Sequence, residues 1–496
     1  MAKLVQTPFG PVIGTEDRGT AKYLGIPYAK PPVGDLRFRA PQMIEPWAQP
    51  LEAVKYAKDP MQYNEALGPE HYSEDCLYLN IWVPEQTGEN LPVMVWIPGG
   101  AYATGGSGAV RPEGPSLYEC ATMARDTGCI IVAVSYRLNV FGFLNLSRYS
   151  GRFEDDLGMK DLIVALKWVN QAIASFGGDP GNVTIFGESA GAGAISALLL
   201  IEEAAPYFHK AIMQSNCFGS FYTPEEEHEA ASKYLEFVGL DAGRAEELLE
   251  LPYEKLMAGV NQLTAYVLKR WFGRCAFCPV VDGQFIRDFP TLADLSKLGK
   301  PILVGSNRNE GNFLTLAYKL TSETSGSFAR ALLERLPADQ REFLLSDYPL
   351  PGKQALADLL TDVMYTMPKL RFAEHLSRHG PVYVYRYDYI APVMGLMGLK
   401  ACHVAEMIPL FDLRAKPYGT FAIGAGSAMK RIGGRMRRYW GAFARTGAPD
   451  VPGLPEWEPY NEQERVTMVI GKTDRLTTDA DAEVRIRYMG IDRVLI

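Results

Sequence analysis

The chain has 496 residues and a formal net charge of −8, with 47% hydrophobic and 22% charged residues, a composition ordinary for a globular protein. The acidic balance, with no basic run and no RNA- or DNA-binding motif, argues against a nucleic-acid partner. No apolar run is long enough to span a bilayer, and Met1–Pro8 lacks the apolar core of a secretory signal, so a cytoplasmic protein is expected.

Strand-like and helix-like segments alternate along the chain, which points to the α/β class. Val93 to Ile97 is a short apolar run before a glycine-rich turn. Ile130 to Tyr136 reads as a buried strand. Asp161 to Ala174 has helical spacing, with Leu162, Ala165, Leu166, Val169 and Ile173 on one side. Val183 to Phe186 is β-branched and aromatic and runs straight into Gly187; an apolar helical run, Ala194 to Ile201, follows. Pro224 to Val260 reads as a solvated helical layer, and Ile302 to Gly305 and Val382 to Tyr387 as later strands. There is no internal repeat or obvious linker, so residues 1–496 are expected to form one domain with helical excursions between the later strands. The seven scattered cysteines do not form a disulfide framework. Cys275 and Cys278 form a C-x-x-C without the second ligand pair that a zinc site needs, so no metal is expected.

The chemistry-bearing signal is Gly187-Glu188-Ser189-Ala190-Gly191, a G-x-S-x-G between a strand pattern and a helix pattern. A sharp strand-to-helix turn there strains the serine and exposes its hydroxyl, and close backbone approach demands small flanking residues. A serine nucleophile needs a base and an oxyanion hole. The turn Pro98-Gly99-Gly100-Ala101-Tyr102 after the Val93 strand is suited to present backbone N–H groups, with a further donor after the nucleophile, at Ala190.

Beyond these residues the chain strongly resembles the type-B carboxylesterases, the cholinesterase-like α/β-hydrolases, and within them the bacterial para-nitrobenzyl-esterase-like enzymes. Phe176 to Gly191 matches the family's active-site signature, and Glu74-Asp75-Cys76-Leu77-Tyr78-Leu79-Asn80 its second signature. Gly25 to Pro32, Ser135 to Leu138 and Phe141 to Leu144 resemble further blocks. The resemblance implies an α/β-hydrolase fold with a mostly parallel sheet and helical excursions over the active site. It implies Glu310, in Gly305 to Gly311, as the acid and His403, in Ala401 to Glu406, as the base of a triad with Ser189. It also implies Gly100, Ala101 and Ala190 as oxyanion donors. Arg37 with Glu74 and Arg137 with Asp161 match buried ion pairs of relatives, and Ser215 and Glu406 resemble supporting residues. Asp282 is a rival acid.

The chain departs from the family pattern at Pro98, where histidine is usual, at Leu162, where glutamine is frequent, and at Asp156, where asparagine is frequent. No cysteine precedes Cys76 to pair with it, in keeping with a reducing compartment. The expected reaction is hydrolysis of small to medium, largely apolar carboxylic esters, without cofactor, by a monomer or small homo-oligomer. Tyr102, Phe218, Trp271 and Phe313 are candidate substrate contacts. Cleavage of amides, thioesters or carbamates uses the same triad, and a non-catalytic binding protein of this fold is the remaining alternative, since specificity lives in pockets rather than in the triad.

Overall fold

The computed structural model describes residues 3–17, 19–62, 68–85, 90–108, 118–334, 336–413 and 418–491. The chain divides into two compact units, each assembled from separated stretches. The first takes 1–210, 221–269 and 275–288; the second takes 211–220, 270–274 and 289–496.

The first unit is built on β1 (Lys3–Thr7), β2 (Gly10–Asp17), β3 (Thr20–Pro27), β4 (Tyr78–Pro84), β5 (Leu91–Ile97), β6 (Ile130–Val134) and β7 (Gly178–Glu188). They lie in the order β1-β2-β3-β4-β6-β5-β7. β4 is antiparallel to β6, whereas β5 is parallel to both β6 and β7. Parallel strands are covered on both faces and read as unbroken apolar runs. β6, Ile-Ile-Val-Ala-Val, is buried at every residue. Each fully buried Val or Ile there is worth about 1.5–3 kcal/mol.

The helix expected from Asp161 starts one turn earlier, as α1 (Leu157–Ala172), after Asp156 in a left-handed conformation with φ 55°. All the apolar positions read from its spacing are buried, although Ile173 belongs to a tighter 3₁₀ turn that ends the helix. α2 (Ala190–Leu198) begins at the residue after Ser189, earlier than its apolar run suggests. α3 (Pro224–Phe237) opens with a capping box between Thr223 and Glu226. This layer is less solvated than its composition implies. Glu227 is buried with Ala230, Ala231, Tyr234 and Leu235, and its Oε1 accepts the Asn145 N–H at 2.8 Å.

The second unit carries β8 (Lys210–Gln214), β9 (Ile302–Asn307), β10 (Val382–Tyr387), β11 (Val466–Ile470) and β12 (Arg475–Thr478) in sequence order. The pairings from β8 to β11 are parallel and the last is antiparallel. Its helices include α4 (Gly311–Ala317), α5 (Lys353–Thr361), α6 (Met367–Ser377), α7 (Pro392–Leu396) and α8 (Gly426–Thr446). A π-helical turn, Asp362–Thr366, joins α5 to α6.

Candidate active site

In the first unit, Gly187 at the end of β7 is in register with Ile97 at the end of β5. The loops that follow these parallel strands therefore emerge side by side, as functional loops of α/β sheets do. Ser189 sits between β7 and α2 with φ 57° and ψ −124°, a strained conformation for a residue with a side chain. The flanking glycines are required by contact. A Cβ on Gly191 would lie 2.1 Å from the Ile97 carbonyl oxygen, and one on Gly187 2.8 Å from it. A Cβ on Gly99 would lie 2.4 Å from the Glu188 carbonyl oxygen, so the glycine turn packs directly on the elbow.

That turn is held through its carbonyls. Tyr136 donates its hydroxyl to the Pro98 oxygen at 2.8 Å. The Thr104 N–H and hydroxyl reach the Gly100 oxygen at 3.0 and 3.2 Å. The Asn139 N–H reaches the Tyr102 oxygen at 2.7 Å. Ala101 and Tyr102 are both left-handed, with φ 56° and 55°. Pro98 lacks an N–H, but its carbonyl is an anchor point of the loop.

In the second unit, His403 Nδ1 lies 2.8 Å from Glu310 Oε2. Glu310 is fully buried and His403 is 5% exposed. The other Glu310 oxygen accepts the Asn307 N–H at 2.6 Å. Two further bonds tie the loop after β9 to the histidine block: the Asn309 N–H to the Ala401 oxygen at 2.9 Å, and Asn312 Nδ2 to the Gly398 oxygen at 2.7 Å. Both carboxylate oxygens of Glu310 are thus engaged, one with the imidazole and one with the backbone. Asp282, the rival acid, is exposed and accepts the N–H groups of Gln284, Phe285 and Ile286 within its own turn.

Behind the pair lies Glu406. It accepts the Ser215 hydroxyl at 3.3 Å and the Asn307 side-chain amide. Burial, and then the Glu310 charge, push the Glu406 carboxyl well up from its ordinary range. Cys402, next to His403, is not a thiolate. Burial and the charges of Glu310 and Glu406 push its thiol far up, so it holds its proton.

Two aromatic rings flank His403: Tyr365 at 5.1 Å and Phe313 at 6.1 Å between centroids. Tyr365 has no sequence motif and was not foreseen. It lies in the π-helical turn, a distortion common at functional sites. Its hydroxyl is 3.7 Å from the Cys217 thiol. Cys217, Trp271, Phe272, Leu332, Val363 and Met364 line a small cavity that opens to solvent. Of the four aromatic candidates, Phe313 lies against His403 and Trp271 lines the cavity. The other two are core: Tyr102 is fully buried against Phe143 at 4.6 Å, and Phe218 packs on Phe372 at 4.8 Å.

The two ion pairs, Arg137–Asp161 buried and Arg37–Glu74 partly buried, are scaffold. Arg137 grips Asp161 with Nε and Nη2 at 2.8 and 2.6 Å. Arg37 donates Nε to Glu74 at 2.7 Å, and Nη1 to the carbonyls of Leu249 and Leu251 at 2.9 and 3.2 Å.

Comparison with known proteins matches residues 1–488 to the model of the carboxylesterase family. The chain belongs to the carboxylesterase family. Among curated relatives, the para-nitrobenzyl esterase of Bacillus subtilis (strain 168) is 32% identical over 491 residues, covering 97% of this chain and 98% of that one. Human carboxylesterase 5A is 33% identical, covering 89% and 80%. Among solved structures, a PNB esterase superposes with a TM-score of 0.85 at 32% identity, covering 98% of this chain and 99% of that one. A carboxylesterase of Geobacillus stearothermophilus gives 0.84 at 31%, covering 98% and 100%. This carboxylesterase therefore has the α/β-hydrolase fold and is a serine-type carboxylic ester hydrolase. Among the described residues no helix is long and apolar enough to cross a membrane.

Proposed function

We propose that this carboxylesterase cleaves small to medium, largely apolar esters through an acyl-enzyme on Ser189, with His403 as base and Glu310 as its orienting acid. The observation that carries the reading is the strained Ser189 elbow, packed on the Gly99–Gly100 turn. His403 takes the Ser189 proton as the hydroxyl oxygen attacks the ester carbonyl. The oxyanion is stabilised by the N–H groups of Gly100, Ala101 and Ala190. His403 then protonates the leaving alcohol, and the same histidine activates a water that releases the acid. Glu310 stabilises the imidazolium that forms twice in this cycle. A role for Trp271 and Phe313 against the apolar parts of substrate is supported by the cavity wall and by the ring beside the base. A single catalytic domain over 1–496 is supported by the unbroken family match.

The test is a panel of p-nitrophenyl esters of rising acyl length, run on the wild type and on Ser189→Ala. The variant should lose turnover by about a millionfold. The wild type alone should gain the acyl mass on Ser189 when quenched during turnover. Ester hydrolysis that survives in Ser189→Ala would overturn the assignment.

A further inference from the structure

Leu396 is 89% exposed, more than any other large apolar side chain among the described residues. It is the last residue of α7, and the C-cap Met397 is 54% exposed. Two more exposed apolar residues are close to α7, Ile390 just before it in the chain and Ile423 just after the turn it packs on. α7 packs on the turn Tyr418–Ala422. A Cβ on Gly424 would lie 3.7 Å from Pro392, and one on Gly395 3.4 Å from Ile390. A soluble surface seldom gathers such residues without a purpose, and a polar rim around them marks an interaction site.

The rim here is basic. Ile390, Pro392, Gly424, Arg431 and Lys472 share one open surface cavity of about 670 Å³. Between Asp412 and Asp450 the sequence holds eight Lys or Arg and no Asp or Glu, in a chain whose net charge is −8. At least three of the eight are engaged within the fold: Arg435 pairs with Asp474, Arg437 donates to the Pro409 and Leu410 carbonyls, and Arg438 donates to the Pro452 carbonyl. Lys430, Arg431 and Arg438 are exposed on α8. The patch also adjoins the base within its own unit. Leu396 and Met397 shortly precede His403, and Gly398 and Ala401 are bonded to the loop that bears Glu310.

We propose that this face docks the enzyme on an anionic lipid surface. Leu396, Met397 and Ile423 enter the acyl-chain boundary, and Lys430, Arg431 and Lys472 meet phosphate headgroups. An apolar tip with basic flanks is the chemistry that such an interface selects. A symmetric pair of copies is disfavoured, because a two-fold contact would set the basic rim against itself. The use of the surface, delivery of esters from a lipid layer, rests on the ester-hydrolase reading; the docking itself does not.

Flotation of the full chain with vesicles tests it, comparing phosphatidylcholine alone with an equal mixture of phosphatidylcholine and phosphatidylglycerol. Binding should require the anionic lipid and fall with salt. Arg431→Glu with Lys472→Glu should weaken it by at least about fivefold per charge. Leu396→Asp with Met397→Asp should weaken it roughly tenfold or more. Both variants should still hydrolyse soluble p-nitrophenyl acetate like the wild type, which shows that they fold. Ser189→Ala should float unchanged. Failure of the wild type to float with anionic vesicles, or flotation of the patch variants at the wild-type level, would overturn the proposal. So would a concentration-dependent dimer that the same substitutions abolish, which would assign the face to a second copy. Flotation by a wild type that cleaves no ester would leave the surface standing and remove the catalytic reading instead.

Discussion

Glu310 holds the imidazole with one oxygen and the Asn307 N–H with the other, in full burial. Replacing it by glutamine keeps the shape and one acceptor but removes the charge that stabilises the imidazolium. Glu310→Gln should therefore lower kcat/KM for a p-nitrophenyl ester by about 10³–10⁴-fold with the fold intact. A loss smaller than about tenfold would assign the orienting role elsewhere. In the sequence Glu310 is reached only through the family resemblance, which places an acid in Gly305 to Gly311. Asp282 also sits in a conspicuous local motif, yet three backbone N–H groups of its own turn occupy it. Only the partner distinguishes the two carboxylates, and partners distant in sequence leave no local pattern.

The π-helical turn between α5 and α6 acts as one element with two outlooks. Val363 and Met364 wall the cavity, while Tyr365 lies against His403. A single extra residue per turn re-aims successive side chains in this way. Truncating Tyr365 to alanine should loosen His403 while removing no side chain that lines the cavity. The expected result is a kcat lowered by about 10–100-fold with KM little changed. Tyr365→Phe should restore most of the rate, since the ring rather than the hydroxyl meets His403. Equal losses in both variants would place the function in the hydroxyl. Element starts were less legible than element existence. Asp156 admits α1 a turn early through a left-handed φ, and nothing in the apolar spacing announces that. The elbow, by contrast, was legible because Gly187 and Gly191 are dictated by contact with the Ile97 carbonyl.

Across the whole molecule, the buried acids set how stability responds to pH. In the first unit, burial raises Asp156 to about 7 and Glu227 to about 8, against the opposing hydrogen bonds from Asn145. Asp155 adds to both shifts, while Lys160 relieves Asp156 and Arg148 relieves Glu227. A folded-state value above the unfolded one means that the native state binds the extra proton. Stability from these groups is present at acid pH and is lost as pH rises from about 4 towards 8. Asp156→Asn keeps the left-handed turn, which asparagine tolerates, and removes one of the titrating groups. The Tm of the variant should drop less between pH 5.5 and 8.5 than that of the wild type, as read by calorimetry at both pH values. Parallel Tm curves would mean that Asp156 is ionised throughout. Composition hid this feature, because the acidic start of α3 reads as solvated until the Asn145 N–H that meets Glu227 is known. Averaging charge over the chain likewise hid the acid-free stretch from Leu413 to Pro449.

The interleaving of the two units has a consequence for biogenesis. The first unit draws on residues up to 288, although most of its strands have been translated by residue 188. Arg37 waits for the carbonyls of Leu249 and Leu251, Gln62 for the Tyr253 hydroxyl, and Asn145 for Glu227. An emerging chain that stops near residue 210 carries the strand and turn of Ser189 but leaves Arg37 Nη1, the Gln62 carbonyl and the Asn145 N–H without these partners. The ribosome must release well over half of this protein before its first unit is able to close.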